Sequence, residues 1–166
     1  MIETKKIEFK TKDEFYTLLD RSIAAILKDE PDWLANLCNT TALIWDMMKD
    51  INWVGFYLLK EGQLVLGPFQ GKPACTRISL GEGVCGTAAE RVESIVVEDV
   101  HAFSGHIACD SASNSELVVP LAIKGRIIGV IDIDSPEFGR FDSEDKMGFE
   151  KIAETILKLV KIPEKY

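Results

Sequence analysis

No stretch of the 166-residue sequence approaches the roughly 20 consecutive apolar residues that a membrane-spanning helix needs. The first residues, Met1 to Lys12, are polar and lack the apolar centre of a secretion signal. Neither bilayer insertion nor export is expected, and a cytoplasmic location is. Basic residues are in the minority: 19 Lys and Arg face 27 Asp and Glu, for a net charge of -8, and no cluster of cations interrupts the excess. A phosphate backbone would be repelled, so no nucleic acid and no membrane is expected as a partner. Internal repeats, low-complexity tracts and linkers are also missing. A chain of this length and composition reads as one domain, 1–166, able to close its core without disulfides or metal. Histidine is scarce. His101 and His106 could join Cys109 as metal ligands, but their spacing follows no clear zinc pattern, and no metal is expected.

Cysteine is present four times, which in a reducing compartment suggests core, metal-binding or catalytic thiols rather than structural disulfides. Cys38 falls on an apolar row of Leu34, Leu37, Cys38, Thr41, Ile44, Trp45 and Met48 in a helix that Pro31 would open, and is expected in the core. Cys75 lies in an extended segment. Cys85 lies in Gly81-Glu82-Gly83-Val84-Cys85-Gly86, which matches the dinucleotide-binding pattern G-x-G-x-x-G. That pattern needs a βαβ unit, and the helix behind this one is too short. The glycines are read as a tight loop leading into a helix N-terminus, where the dipole would favour a thiolate at Cys85; a small buried residue in a packed turn is the competing reading. Cys109 sits in the long polar segment Glu98–Ser115 beside His106, Asp110, Ser111 and Ser113, a setting open enough for a nucleophile.

Periodicity gives the element order. Thr11 to Glu14 has the form of a capping box, followed by Phe15, Leu18, Leu19, Ser22 and Ile26 at helical spacing to about Lys28. From Ile51 the period becomes two: Trp53, Gly55, Tyr57 and Leu59 on one face, Val54, Phe56 and Leu58 on the other. Hairpin turns at Glu61-Gly62 and Lys124-Gly125 join further strands, and Asp142 caps a last helix through Phe149, Ile152, Ile156 and Val160. The order predicts an α+β domain: N-terminal helices over about 11–49, a central antiparallel sheet of about six strands with its loops over about 51–136, and a C-terminal helix over about 142–160.

Alternation places Asp132 and Asp134 on one face of a strand that is otherwise Ile, Val and Gly, with Glu116 at the start of a neighbouring strand. Like charges held beside a buried sheet compete for protons, which raises at least one pKa. A solvated strand end would be the bland alternative. Trp53 and Tyr57 share a face and either wall an apolar pocket beside those acids or are plain core.

Four segments together resemble the free methionine-(R)-sulfoxide reductase family, whose fold is a GAF domain. They are Gly67-Pro68-Phe69-Gln70-Gly71-Lys72-Pro73-Ala74-Cys75, the Gly83-Val84-Cys85-Gly86-Thr87-Ala88-Ala89 turn, Val100-His101-Ala102-Phe103 through Gly105-His106-Ile107-Ala108-Cys109-Asp110, and Asp132-Ile133-Asp134-Ser135-Pro136. The similarity runs from Asn52-Trp53-Val54-Gly55-Phe56-Tyr57 through Arg140-Phe141-Asp142 to the last helix. The resemblance implies a thiol oxidoreductase with Cys109 catalytic, Cys75 as resolving thiol and Cys85 able to take part in recycling. It also implies substrate binding by Glu116, Asp132 and Asp134 beside Trp53 and Tyr57. It implies no bound cofactor, reducing equivalents from an external thioredoxin and NADPH system, and compatibility with a homodimer. A non-catalytic GAF module that binds a small ligand or senses oxidants is the alternative.

Overall fold

The computed structural model describes residues 9–105 and 111–163, so His106, Cys109 and Asp110 lie outside the described residues. Two helices come first, α1 (Lys12–Leu27) and α2 (Trp33–Met47), followed by strands β1 (Trp53–Lys60), β2 (Gln63–Gly71) and β3 (Arg77–Ser79). Helix α3 (Gly83–Arg91), β4 (Ile95–Val97), a 3-10 turn (Val100–Ala102), β5 (Ser115–Ile123), β6 (Arg126–Ser135) and α4 (Ser143–Leu159) complete the order. The six strands form one antiparallel sheet in the order β3-β2-β1-β6-β5-β4, as the α+β reading expects. Glu61-Gly62 and Lys124-Gly125 all have positive φ, the backbone that two-residue hairpins with right-handed strand twist require.

Period-two alternation divides the sheet into two differently used faces. Val54, Phe56 and Leu58 of β1 join Leu117, Val119 and Leu121 of β5 and Ile131 and Ile133 of β6 under α1, α2 and α4, forming the larger core. Trp53 and Tyr57 point to the opposite face, with Val118 and Val130, and α3 covers them through Val84, Cys85 and Ala88.

The helices are rotated from the sequence expectation. In α1 the buried row is Tyr16, Leu19, Ile23 and Leu27, and Phe15, Leu18, Ser22 and Ile26 flank it half-buried. In α2 the buried residues are Asn36, Leu37, Thr40, Thr41, Leu43 and Ile44. Leu34 and Trp45 are exposed, and so is Cys38, which corrects its placement in the core. Leu37, Thr41 and Ile44 of the expected row are buried, and Thr40 joins them. Thr40 and Thr41 bond back to the carbonyls of Asn36 and Cys38, so they can be buried while Leu34 and Trp45 face outward. Pro31 precedes the helix, whose cap is Asp32 accepting from the Ala35 amide at 2.8 Å.

A buried carboxylate fastens the helical layer. Asp145, 1% exposed in the first turn of α4, accepts from Tyr16 Oη at 2.7 Å, Lys12 Nζ at 2.6 Å and Arg140 Nη1 at 3.4 Å. It also closes the capping box with Asp142. Arg140 reaches the Lys49 carbonyl as well, which ties the end of α2 to the approach to α4. Among the described residues no helix is long and apolar enough to cross a membrane.

Candidate active site

Strand register builds the site. On β6, Asp134 lies opposite Trp53 of β1 and opposite Glu116 of β5; two residues back, Asp132 lies between Gly55 and Val118. Directly opposed residues share a sheet face, so three acids from two strands sit beside an aromatic row from a third. Glu116 is 6% exposed and Asp132 7%, whereas Asp134 is half-buried at the rim. Trp53 is stacked between Tyr57, at a centroid distance of 5.9 Å, and Phe69 of β2, at 5.4 Å. Their polar ends are used: Trp53 Nε1 donates to the Lys72 carbonyl at 3.1 Å and Tyr57 Oη to the Cys75 carbonyl at 2.9 Å. The Tyr57 bond fixes the backbone of Cys75 at the end of the aromatic wall.

Gly55 makes that wall fit. A Cβ there would lie 2.5 Å from the Trp53 ring and 2.6 Å from Phe69 Cβ, so the indole can lie across the strand only if position 55 has no side chain. Gly55→Ala is expected to cost about 1–3 kcal/mol in urea unfolding, the usual range for overpacking. Neither Gly55 nor Phe69 was singled out as a site residue from the sequence. The available signal was a glycine in a β-branched and aromatic strand, which marks a close approach but does not name its neighbour.

The glycines around Cys85 serve packing. Gly81 and Gly83 have positive φ, the Gly81 amide donates to the Gly86 carbonyl at 2.8 Å, and a Cβ on Gly86 would collide with the Ser79 carbonyl. The turn presses α3 onto the end of β3, and an antiparallel sheet provides no βαβ unit for a dinucleotide.

Cys85 is a free thiol, 4% exposed, with Sγ 3.9 Å from Glu116 Oε1. Burial raises its pKa well above the usual thiol value, and the charges of Asp132 and Glu116 add to the effect. These outweigh the helix dipole that suggested a favoured thiolate. Burial also pushes Glu116 well above the usual carboxyl range, reinforced by Asp132 and Asp134, and lifts Asp132 to about 6. The expected competition for protons is therefore present. Burial raises Tyr57 too, with the acids behind it, so its hydroxyl stays a donor.

Cys75 is disulfide-bonded. The feet of the segment that carries Cys109 are anchored. The Val100 amide donates to the Asn114 carbonyl at 3.0 Å, the Asn114 amide to the Ser135 carbonyl at 2.8 Å, and the Asn114 side chain to the Pro136 carbonyl at 2.7 Å. Asn52 Nδ2 donates to the buried Ser113 Oγ at 3.0 Å, and His101 Nε2 pairs with Asn114 Oδ1 at 3.0 Å. His101 is thus committed to the loop base, beside the end of β6 that bears Asp134.

Residues 39–159 match the GAF domain family. Free methionine-R-sulfoxide reductase of Escherichia coli is 54% identical over 149 residues, with 90% of each chain covered. The Saccharomyces cerevisiae protein of the same name is 45% identical over 155 residues, covering 89% of this chain and 86% of its own. The X-ray structure of free methionine-R-sulfoxide reductase from Neisseria meningitidis in complex with its substrate superposes with a TM-score of 0.89 at 42% identity, covering 95% of both chains. By fold, register and these matches, the chain belongs to the free methionine-R-sulfoxide reductase family of GAF-domain proteins.

Proposed function

We propose that the protein reduces free methionine-(R)-sulfoxide to methionine in the cytoplasm, at the expense of a thioredoxin-type dithiol. The observation that carries this reading is the convergence of Glu116, Asp132 and Asp134 beside the stacked Trp53, Tyr57 and Phe69. An amino acid with a free ammonium group and a thioether side chain needs both parts: anions for the cation and aromatic faces for the carbon and sulfur. A methionine sulfoxide inside a polypeptide has no ammonium, so the acids would select the free amino acid.

The Cys109 thiolate attacks the sulfoxide sulfur while a carboxylic acid protonates the oxygen. Glu116 suits the acid, because its burial and the two aspartates keep it protonated. The protonated oxygen then passes as hydroxyl from the methionine sulfur to the Cys109 sulfur as the bond between the two sulfurs breaks, which releases methionine as the sulfide and leaves Cys109 as a sulfenic acid. The Cys75 thiolate displaces the sulfenic oxygen, releasing water and closing a disulfide, which an external dithiol reduces by exchange. Cys75 is favoured over Cys85 as the resolving thiol because it is disulfide-bonded, whereas Cys85 is free, buried and held protonated.

The test is turnover of each sulfoxide epimer by reduced enzyme with thioredoxin, thioredoxin reductase and NADPH. Consumption of NADPH with the (R) epimer, absent with the (S) epimer and absent in Cys109→Ser, is the expected result. No turnover by reduced wild type would return the protein to the ligand-binding GAF modules.

A further inference from the structure

The pocket floor joins two carboxylates of the proposed substrate site to a thiol, Cys85, that the proposed reduction does not use. Sγ of Cys85, a carboxylate oxygen of Glu116 and one of Asp132 lie within 4.8 Å of one another, and all three residues are buried. Asp132 is 7% exposed, and its Oδ1 has no hydrogen-bond partner. A buried oxygen left without a donor, next to a thiol and a second carboxyl, is an acceptor for a cation or a proton donor that arrives from outside.

We infer that Cys85, Glu116 and Asp132 form an inhibitory site for a borderline-soft divalent cation of the Zn2+ class, and that the ion competes with the amino-acid substrate for the same carboxylates. The competition rests on the substrate-pocket reading above; the metal site does not.

The donor types narrow the ion. One thiolate and two carboxylates give three ligands, which leaves a fourth tetrahedral position for water, the open arrangement Zn2+ accepts. Magnesium and calcium need about six or more oxygens, and this cluster offers two carboxylates and a thiol, a donor set better suited to a softer ion. Tetrahedral Zn2+ with bonds near 2.0–2.3 Å places its donors roughly 3.3–3.6 Å apart, so the cluster must close by at most about 1 Å, and less between Cys85 and Glu116, already 3.9 Å apart. The three residues project from the first turn of α3, from β5 and from β6, so rotation of the side chains can close it without moving the sheet. Charge favours binding once protons leave. The ion replaces the protons that Cys85 and Glu116 hold, so affinity should rise with pH.

The test uses a protein in which Cys85 is the sole thiol: Cys38→Ser, Cys75→Ser, Cys109→Ser together. Titration with Co2+ is expected to develop a near-ultraviolet thiolate-to-cobalt band that saturates at one ion per chain, and calorimetry with Zn2+ should give the same stoichiometry. Asp132→Asn or Glu116→Gln in this background should weaken binding at least by the roughly 10–100-fold that loss of an outer-shell partner already costs. Circular dichroism checks that each variant is folded. No band from folded protein, or equal affinity in both carboxylate variants, would overturn the site. Free methionine-(R)-sulfoxide should displace Co2+ and bleach the band. A saturable band that the sulfoxide leaves intact would uphold the metal site, overturn the competition and count against the substrate pocket.

Discussion

Replacing Cys75 by serine is expected to lower thioredoxin-supported turnover roughly 100-fold or more, while the first equivalent of methionine still forms. Reduction of a sulfoxide takes two electrons, and a single cysteine can supply them once by becoming a sulfenic acid. In the proposed cycle Cys75 provides the second sulfur that converts this acid into a disulfide, the form a dithiol protein exchanges with. Rapid-quench analysis of Cys75→Ser should show a burst of about one methionine per chain followed by a stall, and a sulfenic-acid reagent should label the stalled enzyme. Cys85→Ser should continue to cycle, with altered substrate affinity because its thiol lies 3.9 Å from Glu116. The contrast follows from the two environments. Cys75 is half-buried and disulfide-bonded, whereas Cys85 is 4% exposed among carboxyls that oppose its ionisation. Continued cycling by Cys75→Ser with loss in Cys85→Ser would reverse the assignment.

The strands were far more legible than the helices. Alternation alone places Trp53 and Tyr57 against Val54, Phe56 and Leu58, and Asp132 with Asp134, because a strand has two faces and one step exchanges them. Cross-strand partners are a different matter. Nothing in a single strand states that Trp53 faces Asp134 and that Asp134 faces Glu116, since pairing between β1, β6 and β5 is non-local. In the helices a wide apolar sector leaves rotation undetermined. Of the expected row, Leu37, Thr41, Ile44 and Met48 are buried, whereas Leu34, Cys38 and Trp45 face outward, and Thr40 takes the buried side instead by satisfying its hydroxyl within the helix. The behaviour of Cys85 was half legible. Its place at a helix N-terminus could be read from the glycines, whereas the opposing burial and carboxylates required the third dimension.

Asp132 should separate activity from stability in opposite directions. With a pKa of about 6 it carries a proton below this pH and, in the proposed substrate site, would no longer attract the ammonium, so kcat/KM should fall on the acid side with an inflection near 6. On the alkaline side the rate should decline as Glu116 loses the proton proposed for the sulfoxide oxygen. Asp132→Asn should flatten the acid limb and lower kcat/KM roughly 10–150-fold, the equivalent of a charge-assisted hydrogen bond worth about 1.5–3 kcal/mol. An acid limb unchanged in Asp132→Asn would remove this residue from substrate binding. Stability should respond the other way. Because burial raises the folded pKa from 3.8 to about 6, the folded state holds more protons than the unfolded state in that window. The stabilising contribution is thus complete below 3.8 and is lost as pH rises through 6. Above that range the wild type keeps a buried, poorly solvated charge, and Asp132→Asn relieves it. At pH near 8 the variant is expected to gain on the order of 1 kcal/mol, a rise of about 2–4 °C in Tm, with little gain near pH 4. A lower Tm at the higher pH would show that the carboxylate is better satisfied in the folded protein than its unpartnered Oδ1 indicates.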